Sequence, residues 1–176
     1  MFSTFLLLTI SILLTLLVLS VLVHIFFLVP YVPSKKRVIE KMLSMAKLKP
    51  RETAFDLGCG DGRLLIAAEK KAQIKAIGFE LAPLVYIFAL IRKLLYRSKI
   101  QLKFKNLFKA NLRRANVIFC YLLPNVMPRL AEKIKRECKK GTRVVSNTFH
   151  IPGLKLARVF KRNRTRGLPT IYVYHV

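Results

Sequence analysis

Thr53-Ala54-Phe55-Asp56-Leu57-Gly58-Cys59-Gly60-Asp61-Gly62-Arg63-Leu64-Leu65-Ile66 is the stretch from which the rest of the chain is read. A short apolar run enters three glycines at alternate positions, and a helical pattern leaves them. Glycine is needed where a chain turns sharply at positive φ and where a ligand approaches the backbone with no Cβ in the way. Such a turn also presents the N-terminal amides of the following helix to that ligand. The spacing separates the cofactor classes that use this turn. A dinucleotide fingerprint, GxGxxG, would require glycine at position 63, which is Arg63; the third glycine is instead Gly62, giving GxGxG. A P-loop is excluded because no Gly-Lys-Ser/Thr follows.

The next informative element is Gly78-Phe79-Glu80, with the acid 24 residues after Asp56 at the end of a second apolar run. A carboxylate at a strand end accepts hydrogen bonds from both ribose hydroxyls of an adenosine moiety. A solvated strand-end glutamate is the plainer alternative. The chain has only 8 acids, and Asp56, Asp61 and Glu80 all fall around one crevice, which favours ribose binding.

Further outward, β-type runs alternate with helical ones. Strands are expected near Thr53–Leu57, Ala76–Glu80, Gln101–Lys105, Val117–Tyr121 and Arg143–Thr148, with helices near Arg63–Lys71, Pro83–Arg97 and Asn125–Cys138. Alternation of this kind predicts parallel βαβ units, hence an open α/β sheet with helices on both faces. Leu156–Phe160 and Thr170–Tyr174, around Arg166-Gly167, suit a closing antiparallel hairpin. Ser34 is the expected N-cap of a leading helix running to about Leu48 and closed by Pro50.

The 176 residues hold 33 Lys plus Arg, a formal net charge of +25, yet nothing before Lys35 is ionic. Phe5–Val29 is an uncharged run of 25 residues, broken only by Thr9, Ser11, Thr15, Ser20 and His24. As a helix it reaches about 37 Å, against a hydrocarbon core of about 30 Å, so it can span with tilt. A secretory signal is disfavoured because Met1–Thr4 offers no basic region and the apolar run is too long. Lys35, Lys36 and Arg37 follow the span, which by the positive-inside rule puts the remainder on the cytoplasmic side. His24 is expected at the interface. The organisation is thus an anchor over 1–29, a linker and leading helix over 30–49 that opens with Pro30 and Pro33, and a folded domain over 50–176. Cys59, Cys120 and Cys138 form no CxxC pair, so neither a zinc site nor a disulfide scaffold is expected.

The sequence resembles the class I, seven-β-strand S-adenosylmethionine-dependent methyltransferases. Asp56-Leu57-Gly58-Cys59-Gly60-Asp61-Gly62 looks like their first motif and Glu80 like their ribose-binding acid. The resemblance implies a Rossmann-like, mostly parallel sheet over about Tyr31–Val176. It also implies a site in which Asp56 orients the methionine amine, the Gly58–Gly62 backbone passes beneath the methionine portion, Glu80 holds the ribose and Asn106 lies beside the adenine. The family often has Asp at the Asn106 position; an amide bonds an adenine edge but supplies no carboxylate. The Asp/Asn-Pro-Pro-Tyr signature of adenine and glutamine methyltransferases is absent, since strand four ends Cys120-Tyr121-Leu122-Leu123-Pro124. A narrower resemblance rests on Tyr31-Val32-Pro33-Ser34 after the span, on the glycine loop with Arg63, and on Tyr121-Leu122-Leu123-Pro124-Asn125-Val126-Met127. Together they look like the small membrane-anchored protein-lysine methyltransferases whose mitochondrial relatives modify ATP synthase subunit c and the adenine nucleotide translocase.

Methyl transfer from a sulfonium needs positioning and desolvation more than a general base, so no catalytic residue is singled out. A lysine acceptor must arrive neutral, which an apolar pocket favours. Tyr31 and Tyr121 are the candidates to line that pocket, and Cys59 reads as a small packing residue. From Leu81 to Ala131 there are ten Lys or Arg and no acid. That imbalance suits an anionic lipid surface, and the anchor makes lipid a simpler partner than nucleic acid. The apolar stretch Leu84–Ile91 is too short to span; burial against the sheet is its principal reading and lipid contact the lesser one. The expected function is methylation of a lysine in a membrane-associated protein. The rivals are an RNA methyltransferase and a non-catalytic, membrane-bound cofactor-binding protein.

Overall fold

The computed structural model describes residues 2–27 and 31–176. The expected helix break at Pro30 and the His24 side chain lie outside what it describes. In chain order the elements are α1 (Phe2–Phe27), α2 (Lys36–Ala46), β1 (Thr53–Leu57), α3 (Arg63–Ala72), β2 (Lys75–Glu80), α4 (Pro83–Leu95), β3 (Gln101–Phe104), β4 (Val117–Cys120), α5 (Met127–Glu137), β5 (Arg143–Asn147), β6 (Leu156–Phe160) and β7 (Ile171–His175). Single 3-10 turns at Leu107–Lys109 and Pro124–Val126 precede β4 and α5 respectively.

The seven strands form one sheet ordered β3-β2-β1-β4-β5-β7-β6. β1 to β5 pair in parallel, and β7 runs antiparallel between β5 and β6. The closing pair therefore forms as expected, but with the later strand inserted and β6 left at the edge. The inward residues explain the choice: Ile171, Val173 and Tyr174 of β7 are buried, whereas Leu156, Ala157, Arg158 and Val159 of β6 are exposed.

Each face of the sheet has its own core. Val38, Met42 and Leu43 of α2 and Leu65 and Ala68 of α3 pack on one face, against Ala54, Val117 and Val145. Met127, Leu130 and Ile134 of α5 pack on the other, against Phe55, Ile118 and Val144. α5 begins two residues later than its sequence pattern suggests, because Pro128 has no amide to donate and is accepted only in the first helical turn.

Two expectations are corrected. Ser34 is not the cap of α2: Lys35 holds the cap position without a side-chain bond, and Ser34 Oγ accepts instead from Asn147 Nδ2 at 3.4 Å. Burial of the apolar run in α4 against the sheet holds for one side of the helix only. Pro83, Val85 and Ala89 are buried, while Ile87, Phe88, Leu90, Ile91, Leu94 and Leu95 are exposed.

Candidate functional site

Strand order reverses between β1 and β4, since β2 and β3 lie to one side of that pair and β5 to the other. In open parallel sheets, ligands sit beyond the strand carboxyl ends at such a reversal. A cavity of about 220 Å³ lies there, lined by residues from the ends of β1, β2 and β4 and from the linker before α2.

The glycine turn forms its floor. Gly58 N and Cys59 N donate to the Phe79 carbonyl at 2.9 and 3.0 Å, and Gly62 N donates back to the Cys59 carbonyl at 3.0 Å. Gly58, Gly60 and Gly62 all have positive φ, at 78°, 56° and 76°. A Cβ on Gly58 would lie 3.1 Å from the Leu122 side chain, and one on Gly60 3.0 Å from the Tyr31 ring. Gly62 is different: it is not on the cavity wall but packs beneath α4 against Ile100 and Leu102.

Three carboxylates meet at the turn. Asp56 is 5% exposed. Burial pushes its carboxyl well above the usual range, and the charges of Glu80 and Asp61 push it further. Glu80 Oε2 accepts from Gly60 N at 3.0 Å, while Oε1 accepts from Leu81 N and Ala82 N at 2.8 and 2.9 Å. A carboxylate has about four acceptor sites, so Glu80 is oriented by the backbone with capacity left toward the cavity. Asp61 reaches the wall with its carboxylate already committed. Arg63 Nε meets both its oxygens at 2.9 and 3.0 Å, and Arg92 of α4 adds a 2.9 Å ion pair. Burial opposes ionisation of Asp61, but the bonds from Arg63 and the charge of Arg92 hold it below the ordinary carboxylate range.

Cys59 is buried, and burial together with Asp56 pushes its thiol well up, so it is a packed thiol rather than a nucleophile. Asn106 lines the cavity and its Oδ1 accepts from Phe108 N at 2.9 Å, which fixes the side chain. Tyr31 and Tyr121 reach the same wall from opposite parts of the chain. Burial raises the Tyr31 hydroxyl and so does neighbouring Asp61. Tyr121 stacks on Phe149, ring centroids 6.3 Å apart and planes 18° from parallel.

The profile of the ANTKMT methyltransferase domain matches residues 56–158, which takes in the glycine turn, Glu80, Asn106 and Tyr121. The chain belongs to that family. A protein-lysine N-methyltransferase from Saccharolobus islandicus is 36% identical over 149 residues, covering 83% of this chain and 92% of the relative. The adenine nucleotide translocase lysine N-methyltransferase of Mus musculus is 34% identical over 128 residues, covering 70% of this chain but only 55% of the mouse protein. Among solved structures, an RNA methyltransferase from Salinibacter ruber in complex with S-adenosylhomocysteine superposes with a TM-score of 0.77 at 28% identity, covering 82% of this chain and 94% of that one.

As a member of this family the protein is an S-adenosylmethionine-dependent methyltransferase, and its cavity fits that cofactor. The floor leaves the space that a Cβ on Gly58 or Gly60 would fill. Asp61 is already paired with Arg63 and Arg92, and the other two carboxylates on the cavity wall, Asp56 and Glu80, suit a ligand carrying an ammonium and ribose hydroxyls. A cation beside Asp56 favours its ionised form, offsetting the burial that raises it.

Three participants were not legible beforehand. Gly78 lies under the turn, where a Cβ would sit 2.6 Å from Cys59 Sγ and 2.7 Å from Leu65 Cδ1. Its position beside Glu80 was visible, but nothing in sequence announces the close approach of α3. Arg92 pairs with Asp61 from 31 residues away. Phe149, just after β5, comes beside Tyr121 only through the β4–β5 pairing.

Proposed function

We propose that the protein transfers the methyl group of S-adenosylmethionine to a lysine of a membrane protein, held at the bilayer by α1 with its folded domain on the cytoplasmic side. One observation carries the reading: Tyr31, Val32, Pro33 and Ser34, which follow the apolar helix, line the same cavity as Asp56 and Glu80. On this reading the residues that follow the anchor help to form the site. The names of the archaeal and mouse relatives support lysine as acceptor. α1 supports the anchor: Thr4–Leu22 is long and apolar enough to cross a membrane.

When bound, S-adenosylmethionine supplies a methyl carbon activated by its sulfonium. The chain's own residues bind and orient. Asp56 would take the methionine ammonium, the turn from Gly58 to Gly60 would carry the methionine portion with Cys59 packed below, Glu80 would accept from the ribose hydroxyls, and Asn106 would bond the adenine edge. Asp61, clamped by Arg63 and Arg92, keeps the turn in shape. Tyr31, Tyr121 and Phe149 form an aromatic wall that excludes water and favours a neutral lysine amine. Held there, a neutral lysine amine would accept the methyl group that the cofactor supplies, with the cofactor left as its thioether and the amine proton given up to solvent.

A second acceptor class has its own support, because the net charge of +25 and the Salinibacter ruber RNA methyltransferase both suit RNA. The test is transfer of radiolabelled methyl from S-adenosylmethionine into host membranes lacking this protein, followed by protease, RNase or lipid extraction. Protease-sensitive label in a membrane protein is the expected outcome. RNase-sensitive label moves the assignment to RNA, and cofactor binding without label to a non-catalytic protein.

A further inference from the structure

The outer face of α4 is an apolar surface in a strongly basic domain. Ile87, Phe88, Leu90, Ile91, Leu94 and Leu95 are exposed, the last two by 78% and 74%. At about 100° per residue they fall within an arc of roughly 160°. Phe104 of the edge strand β3 is 54% exposed and extends the face, its ring 5.4 Å from that of Tyr86. A continuous exposed patch of this kind marks an interaction surface.

Two observations identify what it meets. The first is that α1 packs against α4. Leu16 and Ser20, four residues apart in the C-terminal half of α1, are the α1 residues drawn in from solvent among those whose side chains are described. Ser20, the more deeply covered of the two, lies two residues from the C-terminal end of the Thr4–Leu22 span, so an α4 that meets α1 near Ser20 sits toward the boundary between headgroups and acyl chains. The second is charge: Arg97 and Lys99, which follow α4 directly, are exposed, in a segment with no acid from Leu81 to Ala131. An apolar face rimmed by cations is the pattern of a helix lying in an anionic interface.

We infer that α4 beds its Ile87–Leu95 face into an anionic bilayer, resting on the reading of α1 as a span. Ala82 and Val85, at the start of α4, line the cofactor cavity. Bedding α4 therefore sets that cavity at headgroup height. The acceptor is then a lysine at the membrane–water boundary of a membrane protein, not one in a distant soluble domain.

The test uses the full chain in vesicles of phosphatidylcholine and phosphatidylglycerol, with Cys138→Ser and one environment-sensitive probe at Leu94→Cys, Leu14→Cys or Lys140→Cys. Cys59 and Cys120 are buried and do not compete for the label. The expected result is quenching by spin-labelled lipid at positions 14 and 94, and by aqueous iodide at 140. Lipid quenching at 14 with iodide quenching at 94 overturns the inference while the anchor stands, as does shielding of 94 from both quenchers, which would mean a second copy covers the face. Quenching by lipid at neither position overturns the span and the inference together. In parallel, the double variant Leu94→Glu, Leu95→Glu should keep its cofactor affinity and lose methyl transfer to membranes by at least about tenfold. Unchanged transfer to membranes would sink the idea, whatever the identity of the acceptor.

Discussion

Glu80 reaches back across the crevice to Gly60: its Oε2 accepts the Gly60 amide at 3.0 Å while Oε1 holds the amides of Leu81 and Ala82. One carboxylate thus ties the turn after β1 to the start of α4. In Glu80→Ala those three amides lose their acceptor, and on the proposed reading so does the ribose. S-adenosylmethionine affinity should fall by at least about tenfold, since a lost charged hydrogen bond is worth about 1.5–3 kcal/mol. Calorimetry checks it, and an unchanged Kd would remove Glu80 from the ribose site.

Gly78→Ala tests the packing under the turn. A methyl there would lie 2.6 Å from Cys59 Sγ and 2.7 Å from Leu65 Cδ1, and neither neighbour has room to retreat because both are buried. Overpacking of this kind costs about 1–3 kcal/mol. Thermal unfolding should show a lower Tm, and a Tm equal to wild type would mean that α3 shifts freely.

Asp56→Asn should separate stability from function. Burial, then Glu80 and Asp61, raises the Asp56 carboxyl in the folded chain, so the unfolded chain releases that proton at lower pH. The stabilisation associated with the protonated form is complete below the ordinary carboxylate value and is lost as pH climbs toward the raised folded one. An amide does not ionise, so the variant should match wild type near pH 3 and melt higher at pH 7.5. If Asp56 takes the methionine ammonium as proposed, affinity for S-adenosylmethionine should fall at pH 7.5, because an amide replaces the carboxylate that would meet it. A variant that melts lower at neutral pH would contradict this sign.

Tyr121→Ala removes half of the stacked pair with Phe149 on the cavity wall. If that wall orients the acceptor, kcat should drop by about tenfold or more with little change in cofactor Kd. A loss confined to cofactor binding would instead put Tyr121 against the cofactor.

Much of this was legible in local sequence. The glycine turn, Glu80 and the strand–helix alternation are short-range patterns, and they suffice for the parallel sheet and for the floor of the site. What could not be read depends on pairings distant in sequence. The Asp61–Arg92 ion pair needs α4 folded over the turn, and the Tyr121–Phe149 stack needs β4 beside β5. Ser34 looked like a cap because its type and position suit one; the tertiary bond from Asn147 claims its hydroxyl instead. The apolar run in α4 gave no sign of which face would be covered, since periodicity is silent when every position is apolar.

The placement of β4 beside β1 also orders events in time. Asp56 pairs in register with Phe119, and the far wall is completed only by Phe149. At a synthesis rate of about 5–20 residues per second, on the order of ten seconds pass between completion of α1 and of that wall. A nascent chain that ends before Tyr121 has the glycine turn and Glu80 but no crevice for them to face. S-adenosylmethionine therefore meets a complete crevice only in a chain extended past Phe149, and from then on stabilises the folded domain by mass action.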